Sequence, residues 1–249
     1  MRKIRVVIPL YNEVASLPTL IYRIKGVQKI LKDDFDFGYI IINDGSTDKT
    51  LEKLQSFLEN SKFVIILNHN ANKGFGAALK TGIRKALEVD SDIIVTIDGD
   101  TNYDHFLIPQ LVSELTDDID IVTASPWHPE GGRKQFPKHR LLFSLVLSWL
   151  YRFVIGKKYQ NLYCYSAGFR CYKKEVLDKV NFTGNDFLAT AEIIIRSILK
   201  GFKVKEYPVH VAPRWYGISK MQYYKQTVVH LKFIYWLYYH IEEIETNEA

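Results

Sequence analysis

The sequence predicts an α/β fold: a mostly parallel, Rossmann-like sheet with helices on both faces, followed by a helical extension. Three observations carry the prediction. Short runs rich in Ile and Val recur through the first half, and such runs suit strands buried on both faces. Helical patterns separate them, and βα alternation implies parallel pairing. Past about Ser125 the alternation gives way to longer apolar segments.

Taken in order, Ile4–Pro9 is the first run and a helical pattern covers Val14–Leu31. The next four runs are Gly38–Asn43, Phe63–Leu67, Asp92–Ile97 and Ile119–Ala124, with helices expected over Thr47–Asn60, Gly76–Glu88 and Phe106–Leu115. Pro126–Pro137 carries three Pro and two Gly and reads as a long loop. In Leu141–Ile155 the strongly polar residues are Ser144, Ser148 and Arg152, four apart. They form one narrow stripe on a greasy helix. A strand or turn is expected over Tyr165–Tyr172, a helix over Phe187–Lys200 and a strand over Val204–Val211. An aromatic-rich helix over Met221–Ile241 should end in a frayed tail holding Glu242, Glu243, Glu245 and Glu248. No repeat or linker divides residues 1–249, which read as one domain with halves at 1–124 and 125–249.

The chain has 249 residues, 47% hydrophobic and 24% charged, with a net charge of +5. That balance excludes disordered, collagen-like and disulfide-stapled classes, and no nucleic-acid partner is expected. No run of about 18 uncharged apolar residues predicts a membrane span. Met1–Ile4 enters a strand-like run without a signal-peptide pattern. Cys164 and Cys171 match no zinc spacing and suit a reducing, cytoplasmic compartment. Charge is unevenly spread. Ala86–Gly132 holds eleven Asp and Glu and no Lys or Arg, whereas Pro126–Gln160 holds seven Lys and Arg against Glu130. A bound cation beside a bound anion would explain this; so would two unrelated solvated faces.

Ligands of an open parallel sheet bind beyond the carboxyl ends of its strands. There the sequence delivers Pro9, Tyr11 and Glu13, then Asn43-Asp44-Gly45-Ser46-Thr47-Asp48, then Asn72-Lys73-Gly74-Phe75-Gly76, then Asp98-Gly99-Asp100. Crowded carboxylates need a cation or donors to offset them, and hard oxygens favour Mg²⁺ or Mn²⁺ shared with substrate phosphates. A nucleoside diphosphate fits. Asp48 reads as a helix cap. Gly74-Phe75-Gly76 lacks a third glycine, so it reads as a helix start letting Lys73 and backbone N–H groups approach an anion.

Ile8-Pro9-Leu10-Tyr11-Asn12-Glu13, Asn43-Asp44-Gly45-Ser46-Thr47-Asp48, Asn72-Lys73-Gly74 and Asp98-Gly99-Asp100 together resemble the family 2 glycosyltransferases of the GT-A fold. Ser166-Ala-Gly168-Phe169-Arg170 and Arg214-Trp-Tyr-Gly217-Ile-Ser219-Lys220-Met221 are similar to the dolichol-phosphate mannose synthase branch. The likeness spans about residues 4 to 225. It implies a nucleotide-sugar-binding half over 1–124 and an acceptor half over 125–249. By position, Pro9, Tyr11, Glu13 and Asp44 would hold base and ribose, Asp98 and Asp100 ribose and metal, and Asn102 the metal side. Ser219 and Lys220 would lie near the diphosphate or the acceptor phosphate.

Several positions depart from the pattern. Asn43 stands for the usual Asp, and Tyr216 for a second Arg. Ala124-Ser125-Pro126 replaces a Gly-Ser-Arg whose Arg would bind acceptor phosphate, a task left to Arg133, Lys138 or Arg140. The C-terminal membrane helices of many relatives are not seen. The resemblance implies an inverting, metal-dependent hexosyltransferase using GDP-mannose or UDP-glucose and a polyprenyl or dolichyl phosphate. Its expected place is peripheral, on the cytosolic face of a membrane, with both greasy helices at the interface or else packed in the core. A soluble or saccharide acceptor, or a non-catalytic nucleotide-sugar-binding subunit, are the alternatives. A nucleotidyltransferase would need a Gly-rich triphosphate loop after the first strand, where Pro9–Glu13 has none. His210 and His230 read as surface or packing residues.

Overall fold

The computed structural model describes residues 1–59, 61–133, 138–156, 162–211 and 223–246. Strands β1 (Lys3–Leu10), β2 (Asp36–Asn43), β3 (Val64–Asn68), β4 (Ile93–Thr96) and β5 (Ile121–Ser125) fall on the five apolar runs. Between them lie α1 (Leu17–Leu31), α2 (Thr50–Leu58), α3 (Phe75–Glu88) and α4 (Ile108–Ser113), the last entered through a 3-10 turn at His105–Leu107. The second half adds β6 (Gly132–Arg133), α5 (Lys138–Ile155), β7 (Arg170–Lys173), α6 (Lys174–Lys179), α7 (Leu188–Leu199), β8 (Val204–Pro208), β9 (His210–Val211) and α8 (Tyr223–Thr246).

Seven strands form one sheet in the order β3-β2-β1-β4-β7-β5-β8. All pairings in it are parallel except those of β7, which runs antiparallel to both β4 and β5. Residues of both halves therefore share one sheet. The strand side chains alternate between two cores. Val7, Ile40, Ile42 and Ile94 face α3, α5, α7 and α8, while Ile4, Val6, Ile8 and Ile41 face α1, α2 and α4. That alternation is the period-2 geometry of a strand buried on both sides.

Three expectations change. The loop after β5 contains β6, which pairs with β9 in a small parallel ladder. The run ending at Val211 splits into β8 and β9 at Val209, as β9 leaves the main sheet for β6. The acidic tail is helical through Thr246 rather than frayed, because Ile244 is 5% exposed and anchors the last turns in the core. The helix is interrupted at His240, whose φ of −124° is not helical.

Candidate active site

Parallel strands β1, β2, β3 and β4 point their carboxyl ends the same way, so the loops they release meet on one rim. Asn12 stitches the first loop to the second. Its side-chain oxygen accepts from the N–H of Thr47 at 2.7 Å, and its own N–H donates to Ser46 Oγ at 2.9 Å. Its φ of +50° is one an Asn tolerates. Asp48 accepts from the N–H of Thr50 at 2.9 Å and caps the start of α2. Ser16 links the first loop to the fourth: its hydroxyl lies 3.1 Å from Glu13 Oε2 and 3.4 Å from the Gly99 carbonyl. Gly99 packs directly on Leu10 with no room for a side chain. Glu13 and the Asp98–Asp100 turn are thus neighbours.

Asp44, an expected base and ribose contact, is engaged by the neighbouring loop. It is 3% exposed. One carboxylate oxygen meets His69 Nδ1 at 2.7 Å and accepts from the Lys73 N–H at 2.9 Å; the other accepts from the Gly74 N–H at 2.9 Å. Behind it, His69 Nε2 reaches Thr81 Oγ at 3.0 Å. Asp44 therefore holds the loop that carries Lys73, whose side chain is exposed. At the start of α3, the expected place for an anion, the N–H groups of Gly76 and Ala77 donate to the carbonyl of Asn185 at 2.9 and 3.4 Å. Gly74 and Gly76 permit this approach, since a Cβ on either would lie 2.3 Å from a carbonyl oxygen of the Gly184–Asn185 segment. That segment is held in turn by Glu192, fully buried, which accepts from the N–H groups of Thr183 and Gly184.

The acidic centre is assembled by β4 and β7. In their antiparallel register Thr96 lies opposite Arg170, so Asp98 lies across from Gly168. A Cβ on Gly168 would stand 2.5 Å from Asp98 Oδ1: the carboxylate occupies the space a side chain would need. Asp100 accepts from the Asn102 backbone N–H at 3.2 Å and from its side-chain amide at 2.9 Å. That leaves Asn102 Oδ1 buried without a hydrogen-bond partner among the described residues. Tyr103 senses both acids. Burial pushes its hydroxyl well above the usual range, with the charges of Cys164, Asp98 and Asp100 adding to the effect. Buried Arg170 sits behind this wall and donates to Thr123 Oγ and to the carbonyls of Thr190 and Tyr165.

Two carboxylates and an orphaned amide oxygen are hard donors suited to Mg²⁺ or Mn²⁺. No group of three or more His, Cys, Asp or Glu on the described residues forms a metal cage by itself. Pro9 is buried and Tyr11 and Glu13 are half-buried at the same rim. Of the acceptor-side residues, Arg140 lies in the first turn of α5 and Arg133 in β6, their side chains outside the described set. Ser219 and Lys220 lie outside the described residues.

Sequence reading assigned no role to Ser16, His69, Gly168 or Asn185. His69 directly follows the end of β3, a position that could have flagged it. Gly168 stands in the Ser166–Arg170 motif, but its packing against Asp98 shows only through the antiparallel register of β7.

A mostly parallel sheet with an acidic turn at the end of β4, ringed by the loops of β1, β2 and β3, is the architecture expected of a sugar-nucleotide transferase. The chain belongs to glycosyl transferase family 2, whose sequence model matches residues 5–180. It is 26% identical over 220 residues to a polyprenol monophosphomannose synthase from Mycolicibacterium smegmatis, covering 87% of this chain and 80% of that one. It is 28% identical to a dolichol-phosphate mannosyltransferase from Pyrococcus furiosus, covering 88% of this chain and 59% of that longer protein. In three dimensions it is similar to glucosyl-3-phosphoglycerate synthase from Mycobacterium tuberculosis, solved with Mn²⁺, uridine diphosphate and phosphoglyceric acid. The TM-score is 0.69 at 18% identity, over 96% of this chain and 78% of that one. The fold is GT-A, as its sequence motifs predict.

Proposed function

We propose that this protein transfers a hexose, mannose or glucose, from GDP-mannose or UDP-glucose to a polyprenyl or dolichyl phosphate. One observation carries the reading: the side chain of Asn102 donates to Asp100 and keeps a buried oxygen without a partner among the described residues, in the segment that β4 releases after Asp98. The names of the aligned mannosyltransferases support the lipid phosphate as acceptor.

An acceptor phosphate oxygen attacks the anomeric carbon from the face opposite the leaving group. The new O–C bond forms as the bond to the diphosphate breaks, and the electron pair leaves on the nucleoside diphosphate. A phosphate monoester has a second pKa of about 6 and is largely ionised at pH 7, so no general base is required. Asp98, Asp100 and Asn102 would hold a divalent cation, which supplies charge stabilisation to the departing diphosphate. Pro9, Tyr11 and Glu13 line the base and ribose side. Asp44 acts through the loop it fixes, keeping Lys73 at the rim. Arg133, Lys138, Arg140, Ser219 and Lys220 are the proposed groups for the acceptor phosphate and diphosphate.

The membrane side of the proposal rests on α5. Its polar stripe faces inward: Ser148 is 7% exposed and donates to the Tyr163 carbonyl, and Arg152 donates to the Leu162 carbonyl at 2.8 Å. Trp149 and Phe153, stacked at 5.9 Å, are 63% and 70% exposed instead. Such an exposed apolar face carrying Trp suits the interface of a bilayer. No helix among the described residues is long and apolar enough to cross one. The protein would then act as a peripheral enzyme on the cytosolic surface.

The test of the site is Asp100→Ala. The reading expects transfer to fall by 10²-fold or more, the range for loss of a transition-state charge contact, with an unchanged circular dichroism spectrum. Wild-type turnover at saturating substrates would overturn the assignment.

A further inference from the structure

We propose that Arg23 is a positioning residue for the metal-side turn. It lies on α1, outside the acidic rim, and holds the backbone that aims Asp100 and Asn102. Its Nη1 donates to the Thr101 carbonyl at 2.8 Å and to the Tyr103 carbonyl at 2.7 Å. These two carbonyls bracket Asn102, the residue that closes on Asp100 and presents the orphaned oxygen.

The turn needs such a clamp. Thr101 has a φ of +60°, a left-handed conformation that is a genuine outlier for a β-branched residue. Strain of this kind persists only where the surroundings over-determine it. Thr101 is also 3% exposed. A guanidinium is suited to the task, being always charged and presenting several donors in a rigid plane. Helix α1 is registered on this segment by its neighbours. Gly26 lets the Phe106 ring come within 2.6 Å of where a Cβ would be, and Tyr22 meets the same ring edge-on at 6.2 Å. Residues 22, 23 and 26 lie on one side of the helix, so one face of α1 is devoted to the segment after Asp100.

This inference rests on the metal-side reading of Asp98, Asp100 and Asn102. Its test is Mn²⁺ affinity, followed by electron paramagnetic resonance in the presence of GDP and again with UDP, for wild type, Arg23→Met, Arg23→Lys and Asp100→Ala. Arg23→Met should weaken Mn²⁺ binding roughly 10–100-fold, the range for outer-shell partners of a metal site, and Arg23→Lys less. Excess Mn²⁺ should restore kcat to Arg23→Met, which a merely misfolded variant would not show. Should Arg23→Met fail to fold, Arg23→Lys carries the comparison. If wild type binds Mn²⁺, Asp100→Ala does not, and the Arg23 variants bind as wild type does, the role of Arg23 is overturned and the site stands. If wild type binds no Mn²⁺ with either nucleotide, both fall.

Discussion

At the scale of single residues, the site is made by what is missing as much as by what is present. Gly168 leaves the space that the Asp98 carboxylate fills, 2.5 Å from where a Cβ would be. Gly168→Ala should therefore displace a flexible carboxylate rather than backbone. The expected result is a transfer rate lowered at least tenfold, with a melting temperature within a few degrees of wild type; normal kinetics would show that Asp98 does not need this seat. Asn102 reads similarly. Its backbone N–H and side-chain amide donate to Asp100, which leaves its oxygen without a partner among the described residues for the proposed cation. The acids themselves were legible in the sequence, because Asp98-Gly99-Asp100 ends an apolar run. Their partners were not: Gly168 is 70 residues further along, and the register that brings it across belongs to an antiparallel strand inside an otherwise parallel pattern. Asp44 shows a structural role that its motif does not display. A carboxylate at a strand end can cap the neighbouring loop as readily as it can meet a ligand, and here His69, Lys73 and Gly74 claim it.

At the scale of elements, the first half was readable because all its main-sheet strands but the edge strand β3 are buried on both faces and each helix carries one apolar stripe. The second half mixes signals. Helix α5 is apolar nearly all round, so periodicity could not say which side faces inward. The structure settles it: Leu147, Tyr151 and Ile155 enter the core, while Leu142, Leu145, Val146, Trp149 and Phe153 stay exposed. Helix α8 divides in the same way, burying Phe233 and Leu237 and exposing Tyr235, Tyr238 and Tyr239. A buried hydrogen bond from Tyr151 to His230, 2.6 Å long, locks the two helices together. Packing and interfacial exposure are thus compatible roles of the same helices. Replacing Trp149 and Phe153 with Ser should leave the fold intact, since neither side chain is in the core. It should sharply reduce co-flotation with liposomes containing anionic lipid; flotation equal to wild type would count against a membrane role for this face.

At the scale of the whole molecule, two buried histidines couple stability to pH. Burial lowers the pKa of His230 from 6.5 to about 4, and burial with the neighbouring Arg23 charge lowers that of His105 to about 3. Both are neutral in the folded protein at pH 7. Because each folded pKa lies below its unfolded value, the unfolded chain binds more protons in acid. Stability should be complete above about pH 6.5 and fall as the pH drops toward 4, by about 3 kcal/mol from His230 alone at the acid end. Urea unfolding across that range checks this, and His230→Gln should flatten part of the slope. A wild-type curve without slope would contradict it.

One sheet carries both halves, since β7 from the second half separates β4 from β5 of the first. The proposed donor-side acids and the proposed acceptor helices consequently pack on one sheet. The most direct measurement offers labelled GDP-mannose and UDP-glucose in turn to the protein with polyprenyl phosphate, with and without Mn²⁺ or Mg²⁺, and counts label extracted into organic solvent. The account predicts cation-dependent transfer from one of the donors into the lipid phase. Label that stays in the aqueous phase with both donors, while the protein is folded and binds nucleotide, would contradict it.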